Sequence, residues 1–453
     1  MDRAGGQGCT MSQDIQRMLF PYLVGRLQIH QSYEDQLALV DKVLQTESRF
    51  AGISNEQRNE ISREFLSLGR IEFLARDPLI EDIMVNATEP VYAYHAQAGM
   101  MQTEVRFSGM DELEFFVEKL VVLAGKIEVR PILDLQLPGG LRVNAVQSPF
   151  GPQITIRRMK ETPPSIVDLV DWGLVDSRMA AEMWLYVDGL RVRPANIFVG
   201  GPAGSGKTTL LNSLFSFFRP EERIITIEDT LELNTRTAEN CSRLEVNEQL
   251  SAQDLVKNAL RMRPDRLIVG EMRGAEAQQL ITAMNIGATC MVTIHTDTSR
   301  NLIKRLSNNP MNISEDMLAL LDVIFIVRAL RDGPRLHRAV VEVVETAGLE
   351  GRTMLLTEPQ TYNVAQKKLI EKNSSRTVFR DRLARATGWT NLQIMGEIER
   401  RQRVLEALLE QGIRAVADIS RFARDYYDDT AAALRKIGLE DDEPSGGPLP
   451  PLS

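Results

Sequence analysis

The sequence has three cysteines in 453 residues, few aromatics, no excess of basic charge and no apolar run of membrane-spanning length. Each shortage excludes something. Cys9, Cys241 and Cys290 lie far apart without ligand spacing, so neither a zinc site nor a disulfide framework is expected, and the thiols read as cytosolic. The best apolar stretch, Ala319 to Val327, is interrupted by Asp322 and falls well short of the roughly 18 residues that a span needs. Met1 to Gln16 has no apolar segment after a charged start, so no signal peptide is expected. A cytoplasmic protein follows, with any membrane association peripheral. A net charge of -9 with 6% aromatics argues against a basic groove lined by stacking rings, and no nucleic-acid partner is expected.

What is present centres on Asn196-Ile-Phe-Val-Gly-Gly-Pro-Ala-Gly-Ser-Gly-Lys-Thr-Thr-Leu-Leu211. An apolar run, Ile197 to Val199, ends in a glycine-rich loop that opens onto helical apolar spacing at Leu210, Leu211, Leu214 and Phe215. Gly201, Gly206, Lys207 and Thr208 fit the G-x-x-x-x-G-K-[ST] phosphate loop. Glycines let successive backbone N–H groups turn toward a polyphosphate, and Pro202, Ala203, Gly204, Ser205 and Thr209 complete the loop and its first turn. Lys207 is placed to reach the β- and γ-phosphates. Thr208 offers a hydroxyl to Mg²⁺, a hard cation that takes oxygen ligands. ATP and Mg²⁺ are the expected cofactors.

Ahead of the loop, 1–75 reads as an N-terminal helical region, with apolar faces in Gln36 to Leu44 and Ile61 to Leu74. Residues 76–160 read as an α+β domain. Its strands are expected at Ile83 to Asn86, Val91 to His95, Glu104 to Phe107, Ile132 to Leu137, Leu141 to Val146 and Gln153 to Arg158, around a helix at Asp111 to Ala124. A linker and a helix, Ile166 to Arg191, fill 161–193. Short apolar strands then alternate with helices, at Ile197 to Val199, Arg223 to Ile227, Arg266 to Val269, Cys290 to Ile294 and Val323 to Val327. That is the pattern of a parallel sheet covered on both faces. A β-rich end closes this domain by 375, helices occupy 376–438, and 439–453 has the composition of a disordered tail.

Three clusters fall where the predicted strands end, the edge at which α/β sheets bind ligands. Ile224-Ile-Thr-Ile-Glu-Asp229 delivers Glu228 and Asp229, Arg261-Met-Arg-Pro-Asp-Arg-Leu-Ile-Val-Gly-Glu271 ends in Glu271, and Thr293-Ile-His-Thr296 presents His295. A carboxylate there can activate water or hold the shell of Mg²⁺, and a histidine can sense a γ-phosphate. In this order on one sheet, the four motifs resemble the type II/type IV secretion ATPase superfamily, the hexameric motors of secretion systems, type IV pili and archaella. The resemblance runs from about Leu74 to Gly438, includes Asp77-Pro-Leu-Ile-Glu-Asp-Ile-Met-Val-Asn86, and is nearest to the archaeal branch through Leu321-Asp-Val-Ile-Phe-Ile-Val-Arg328. Two departures stand beside it: Ala288 follows Gly287 where the family usually has histidine, and the tetracysteine loop of some bacterial members is absent.

The resemblance implies an α/β chain in which an N-terminal α+β domain precedes a RecA-like P-loop ATPase domain over 194–375, with a helical C-terminal extension. It implies Mg-dependent ATP hydrolysis, with Glu228 or Glu271 positioning water, Thr208 and Glu271 holding Mg²⁺, and His295 sensing. It also brings Arg142 and Arg157 of the N-terminal domain to the phosphates, with Arg158 a weaker candidate. The implied assembly is a homohexamer working on an integral membrane platform protein at the cytoplasmic face of the membrane. A nucleic-acid translocase with the same core, and a nucleotide switch or small-molecule kinase, are the competing readings.

Overall fold

The computed structural model describes residues 7–28, 31–96, 98–158, 163–247, 249–332, 335–350, 353–363, 368–371 and 377–440. The expected tail beyond 440 and the linker at 161–162 lie outside these, as does the side chain of Cys9. The chain divides into two compact units, Met1–Glu161 and Thr162–Ser453.

The first unit begins with helices α1 (Gln7–Leu23), α2 (Tyr33–Thr46), α3 (Asn55–Leu66) and α4 (Glu72–Arg76). Ser32 and Ser54 start α2 and α3 as full capping boxes with Asp35 and Gln57. The helix expected over Ile61 to Leu74 stops at Leu66, because Ser67 turns to extended backbone and Gly69 to positive φ. A six-stranded antiparallel sheet follows, in the order β3-β2-β1-β6-β5-β4, from β1 (Ile80–Asn86), β2 (Tyr92–His95), β3 (Gly99–Gln102), β4 (Ile132–Leu137), β5 (Leu141–Val146) and β6 (Gln153–Arg158). Helix α5 (Met110–Leu123) covers one face. The strand expected at Glu104 to Phe107 is irregular chain; Gly99–Gln102 pairs with β2 instead, where the turn after His95 brings it back. The alternating burial of β4 and β5 sends Leu133, Leu135, Val143 and Ala145 into a core shared with Leu19, Val40 and Phe65 of the helices.

The second unit opens with α6 (Ile166–Asp171) and α7 (Ser177–Asp188), where a single helix was expected. Gly173 at φ 72 ends the first, and Asp176 caps the second by accepting from Met179 N–H. Its nine-stranded sheet runs β15-β14-β13-β12-β7-β11-β10-β8-β9. The strands are β7 (Ile197–Gly201), β8 (Ile224–Glu228), β9 (Cys241–Glu245), β10 (Arg266–Val269), β11 (Thr289–His295), β12 (Val323–Asp332), β13 (Arg335–Glu350), β14 (Thr353–Asn363) and β15 (Lys368–Glu371). The run from β12 to β9 is parallel and β13 to β15 add antiparallel. All five apolar strands read from the sequence are present; β9 was not anticipated, because an edge strand with half-exposed residues has no apolar run to betray it.

Both faces of the central strands β7, β8 and β10 are buried, as expected for a sheet covered on both sides. Ile197 and Val199 point into one core and Phe198, between them, into the other. The first core takes in α6, α7, α8 (Lys207–Ser213) and the C-terminal helices α13 (Val378–Thr387), α14 (Asn391–Glu410), α15 (Val416–Asp428) and α16 (Thr430–Lys436). The second is covered by α9 (Ala252–Ala259), α10 (Glu276–Asn285), α11 (Ser299–Ser307) and α12 (Glu315–Leu318). Among the described residues no helix is long and apolar enough to cross a membrane.

The C-terminal helices are pinned through charge as well as packing. Arg401 on α14 is fully buried, 2.8 Å from both Asp188 Oδ2 at the end of α7 and Glu397 Oε1, with its guanidinium 4.9 Å from the Trp184 ring centroid. Glu397 also accepts from Arg400 at 2.7 Å and from Tyr426 Oη at 2.9 Å. Removing one member of such a cluster strands the opposite charge in low dielectric, so Arg401→Met should cost about 3–5 kcal/mol. Guanidinium denaturation of parent and variant reads this directly, and an unchanged midpoint contradicts it.

Candidate active site

Strand β7 is buried along its length and delivers the loop to the carboxyl edge of the sheet. The loop is built to glycine. A Cβ on Gly201 would sit 2.4 Å from the Val327 carbonyl and 2.5 Å from Ser205 Oγ, and Gly206 adopts φ 103 just before α8 begins. The N–H groups of the first turn of α8 have no partner within the helix, so they are available to an anion. Ser205 Oγ is buried and has no hydrogen-bond partner among the described residues. Lys207 is buried, gives one proton to Pro202 O at 3.0 Å and approaches His295 Nδ1 at 3.4 Å. Burial holds its pKa below the usual lysine value. A cradle of free N–H groups, an unpartnered hydroxyl and a buried ammonium fit a polyphosphate.

His295 reaches the loop because β11 pairs with β7 in parallel, placing His295 beside Gly201. Its Nε2 lies 2.9 Å from Glu271 Oε1. Lys207 has only protons to give, so Nδ1 accepts and Nε2–H donates to the carboxylate: a neutral imidazole with an assigned tautomer. Burial first, then the Lys207 charge, lower its pKa, against the pull of Glu271.

Glu271 follows β10. Arg273 forks onto it, at 3.0 Å to Oε1 and 2.9 Å to Oε2, and also faces Asp229 at 3.6 Å. Burial would raise the Glu271 pKa, but Arg273, His295 and Lys207 outweigh it and hold the group ionised. Oε1 takes both Arg273 and His295 while Oε2 takes Arg273 alone, so Oε2 keeps a lone pair that could face a metal ion.

Glu228, at the end of β8, is the opposite case. Its Oε1 accepts from the N–H groups of Glu232 and Leu233, both at 2.8 Å. Its Oε2 is buried and has no hydrogen-bond partner among the described residues, and Arg243 stands off at 3.8 Å. Burial dominates and pushes its pKa up to about 7. Gly270 makes room for it: a Cβ there would lie 3.0 Å from Glu228 Cγ. The edge therefore holds two carboxylates of different character, one ionised and committed, one poised near neutrality with an oxygen to spare.

The second unit thus links the loop, through Lys207, to His295 and Glu271, and places Glu228 farther along the same carboxyl edge, beside Gly270. Arg142 and Arg157 belong to the first unit, directly opposite each other on β5 and β6. Arg142 forks onto Asp134 at 2.9 and 3.1 Å, and Arg157 pairs with Asp82 at 2.8 Å. Arg158 gives a proton to Ala75 O. Sequence reasoning missed Arg273, although its place two residues after Glu271 could have suggested a clamp. It also missed Arg243, which only the pairing of β8 with β9 brings to Glu228.

Residues 69–418 match the family described as Type II/IV secretion system protein. An uncharacterized protein of Methanocaldococcus jannaschii is 30% identical over 414 residues, covering 86% of this chain and 72% of that protein. The conjugal transfer protein TrbB of Rhizobium radiobacter is 33% identical over 229 residues, 48% of this chain and 69% of its own length. Among solved structures, the pilus retraction motor PilT with bound ADP overlays with a TM-score of 0.47 at 20% identity, covering 79% of this chain and 96% of that one.

Proposed function

This chain belongs to the type II/IV secretion system protein family, and from that premise we propose that it is the Mg-dependent ATP-hydrolysing motor of a secretion, type IV pilus or archaellum machine. Membership makes it an ATPase. The finer reading is a homohexameric ring at the cytoplasmic face of the membrane, whose domain closure does work on an integral membrane platform protein. The observation that carries the hydrolytic part is the Oε2 of Glu228, without a hydrogen-bond partner among the described residues and on the same sheet edge as the phosphate loop.

In this reading the loop N–H groups and Lys207 hold the β- and γ-phosphates. Thr208 and Glu271 would supply the oxygens for Mg²⁺, which when bound would neutralise charge on those phosphates. Glu228 Oε2 takes the proton as a water oxygen bonds to the γ-phosphorus and the bond to the β–γ bridging oxygen breaks. Glu271 is the poorer base, since Arg273 and His295 already occupy both lone pairs of Oε1 and one of Oε2. His295, neutral and tied to both Lys207 and Glu271, links the γ-phosphate position to the metal side. Arg142 and Arg157 complete the charge stabilisation when the domains close.

Turnover by the purified chain should stop in excess EDTA and return with added Mg²⁺. Hydrolysis that persists in EDTA contradicts the reading.

A further inference from the structure

Strand β12 outruns its neighbour β7. Ile326 stands opposite Gly200, and β12 continues six residues farther, to Asp332, while β7 gives way to the phosphate loop. Its antiparallel partner β13 therefore returns beyond the sheet edge, with Arg338 paired to Ala329 at the level of that loop. Arg338 Nε donates to the Gly204 carbonyl at 2.9 Å, and its Cδ would lie 3.4 Å from a Cβ on Gly206. The side chain thus lies along the glycine loop from a strand about 130 residues downstream. It is exposed, and among the described residues its Nη1 and Nη2 have no protein partner.

The neighbouring cations already make protein contacts. Lys207 gives a proton to Pro202 O, Arg273 is forked onto Glu271, Arg305 donates to His295 O, and Arg328 spends two nitrogens on Asp297 O. Lys207 is a single point charge facing a polyphosphate of three or more negative charges. A guanidinium adds planar, paired N–H groups suited to phosphate oxygens.

We propose that Arg338 is a nucleotide-binding residue, a guanidinium from β13 that braces the phosphate loop through Gly204 and gives its two terminal nitrogens to the polyphosphate. This rests on the nucleotide reading of the loop. Because the contact is made equally in ground and transition states, it supports affinity rather than the chemical step.

The test compares parent, Arg338→Ala and Arg338→Gln for binding of ADP and of inorganic tripolyphosphate, with steady-state ATP hydrolysis alongside. Losing charge-assisted hydrogen bonds should weaken both ligands by about tenfold or more in the alanine variant. KM for ATP should rise in step, with kcat within about threefold of the parent. Arg338→Gln keeps a neutral donor for the Gly204 carbonyl but no charge, and should bind as weakly as Arg338→Ala. Glutamine at parent affinity would show that bracing Gly204 is the whole role and overturn the proposal. So would a loss confined to ADP, since the arginine would then meet the nucleoside. A parent that binds neither ligand overturns the nucleotide reading and this one with it, whereas a parent that binds no better than its variants overturns the arginine alone.

Discussion

Glu228→Gln should lower ATP turnover by about 10²–10⁴, the range for a positioned general base, while nucleotide still binds. Glutamine keeps an oxygen for the Glu232 and Leu233 N–H groups, so the loop after β8 stays in place. What is lost is the basic Oε2, which among the described residues has no hydrogen-bond partner and faces Arg243 at 3.8 Å. The parent's kcat/KM should rise with pH through about 7 and level off above it, because the group must be ionised to accept a proton and burial sets its pKa there. Residual activity of the variant should lack that limb.

Stability should move the other way. The folded carboxyl holds its proton up to about pH 7 where an ordinary glutamate releases it near 4.5, so the folded state is penalised increasingly as pH rises between those values. Above pH 7 the penalty reaches about 3 kcal/mol at most, and glutamine removes it. The Glu228→Gln variant should therefore melt at a higher temperature than the parent at pH 8 and at nearly the same temperature at pH 4.5. Parent-like turnover in the variant would move the base to Glu271.

Arg142→Ala carries the second large effect. An arginine that meets transition-state charge contributes about 10³–10⁵ in rate, so the variant should bind nucleotide at parent affinity and lose nearly all turnover. In the first unit the proposed group is held in an ordered setting. Arg142 and Arg157 face each other across β5 and β6, and the fork onto Asp134 fixes the plane of the Arg142 guanidinium. Asp134 is itself half-exposed, so exchanging it for phosphate costs little. Equal rates for parent and Arg142→Ala would contradict the assignment.

Much of the candidate site was legible because its parts obey local rules. A phosphate loop needs glycine and lysine at fixed spacing, and Glu228, Glu271 and His295 each sit at or just past an apolar strand, so strand ends and motif coincide. The doubly covered sheet was legible for the same reason, from short apolar runs at β7, β8, β10, β11 and β12. Pairing is what local patterns do not contain. The edge strand β9 has no apolar run, and only its register brings Arg243 toward Glu228. Arg338 is invisible for the same reason, since the length of β12 beyond β7 decides where β13 returns. The break between α6 and α7 turned on Gly173 and Asp176, two ordinary residues whose joint effect is a stop followed by a cap. Nor did spacing distinguish Glu228 from Glu271; their difference lies in which hydrogen bonds each oxygen has already made.

The most direct test measures ATP hydrolysis and solution mass together, by light scattering with and without Mg-ATP, on the parent and on Lys207→Ala. The account predicts hexamers promoted by Mg-ATP in the parent, with turnover that disappears in Lys207→Ala. A monomer without turnover under the same conditions, or turnover that survives the loss of Lys207, would contradict it.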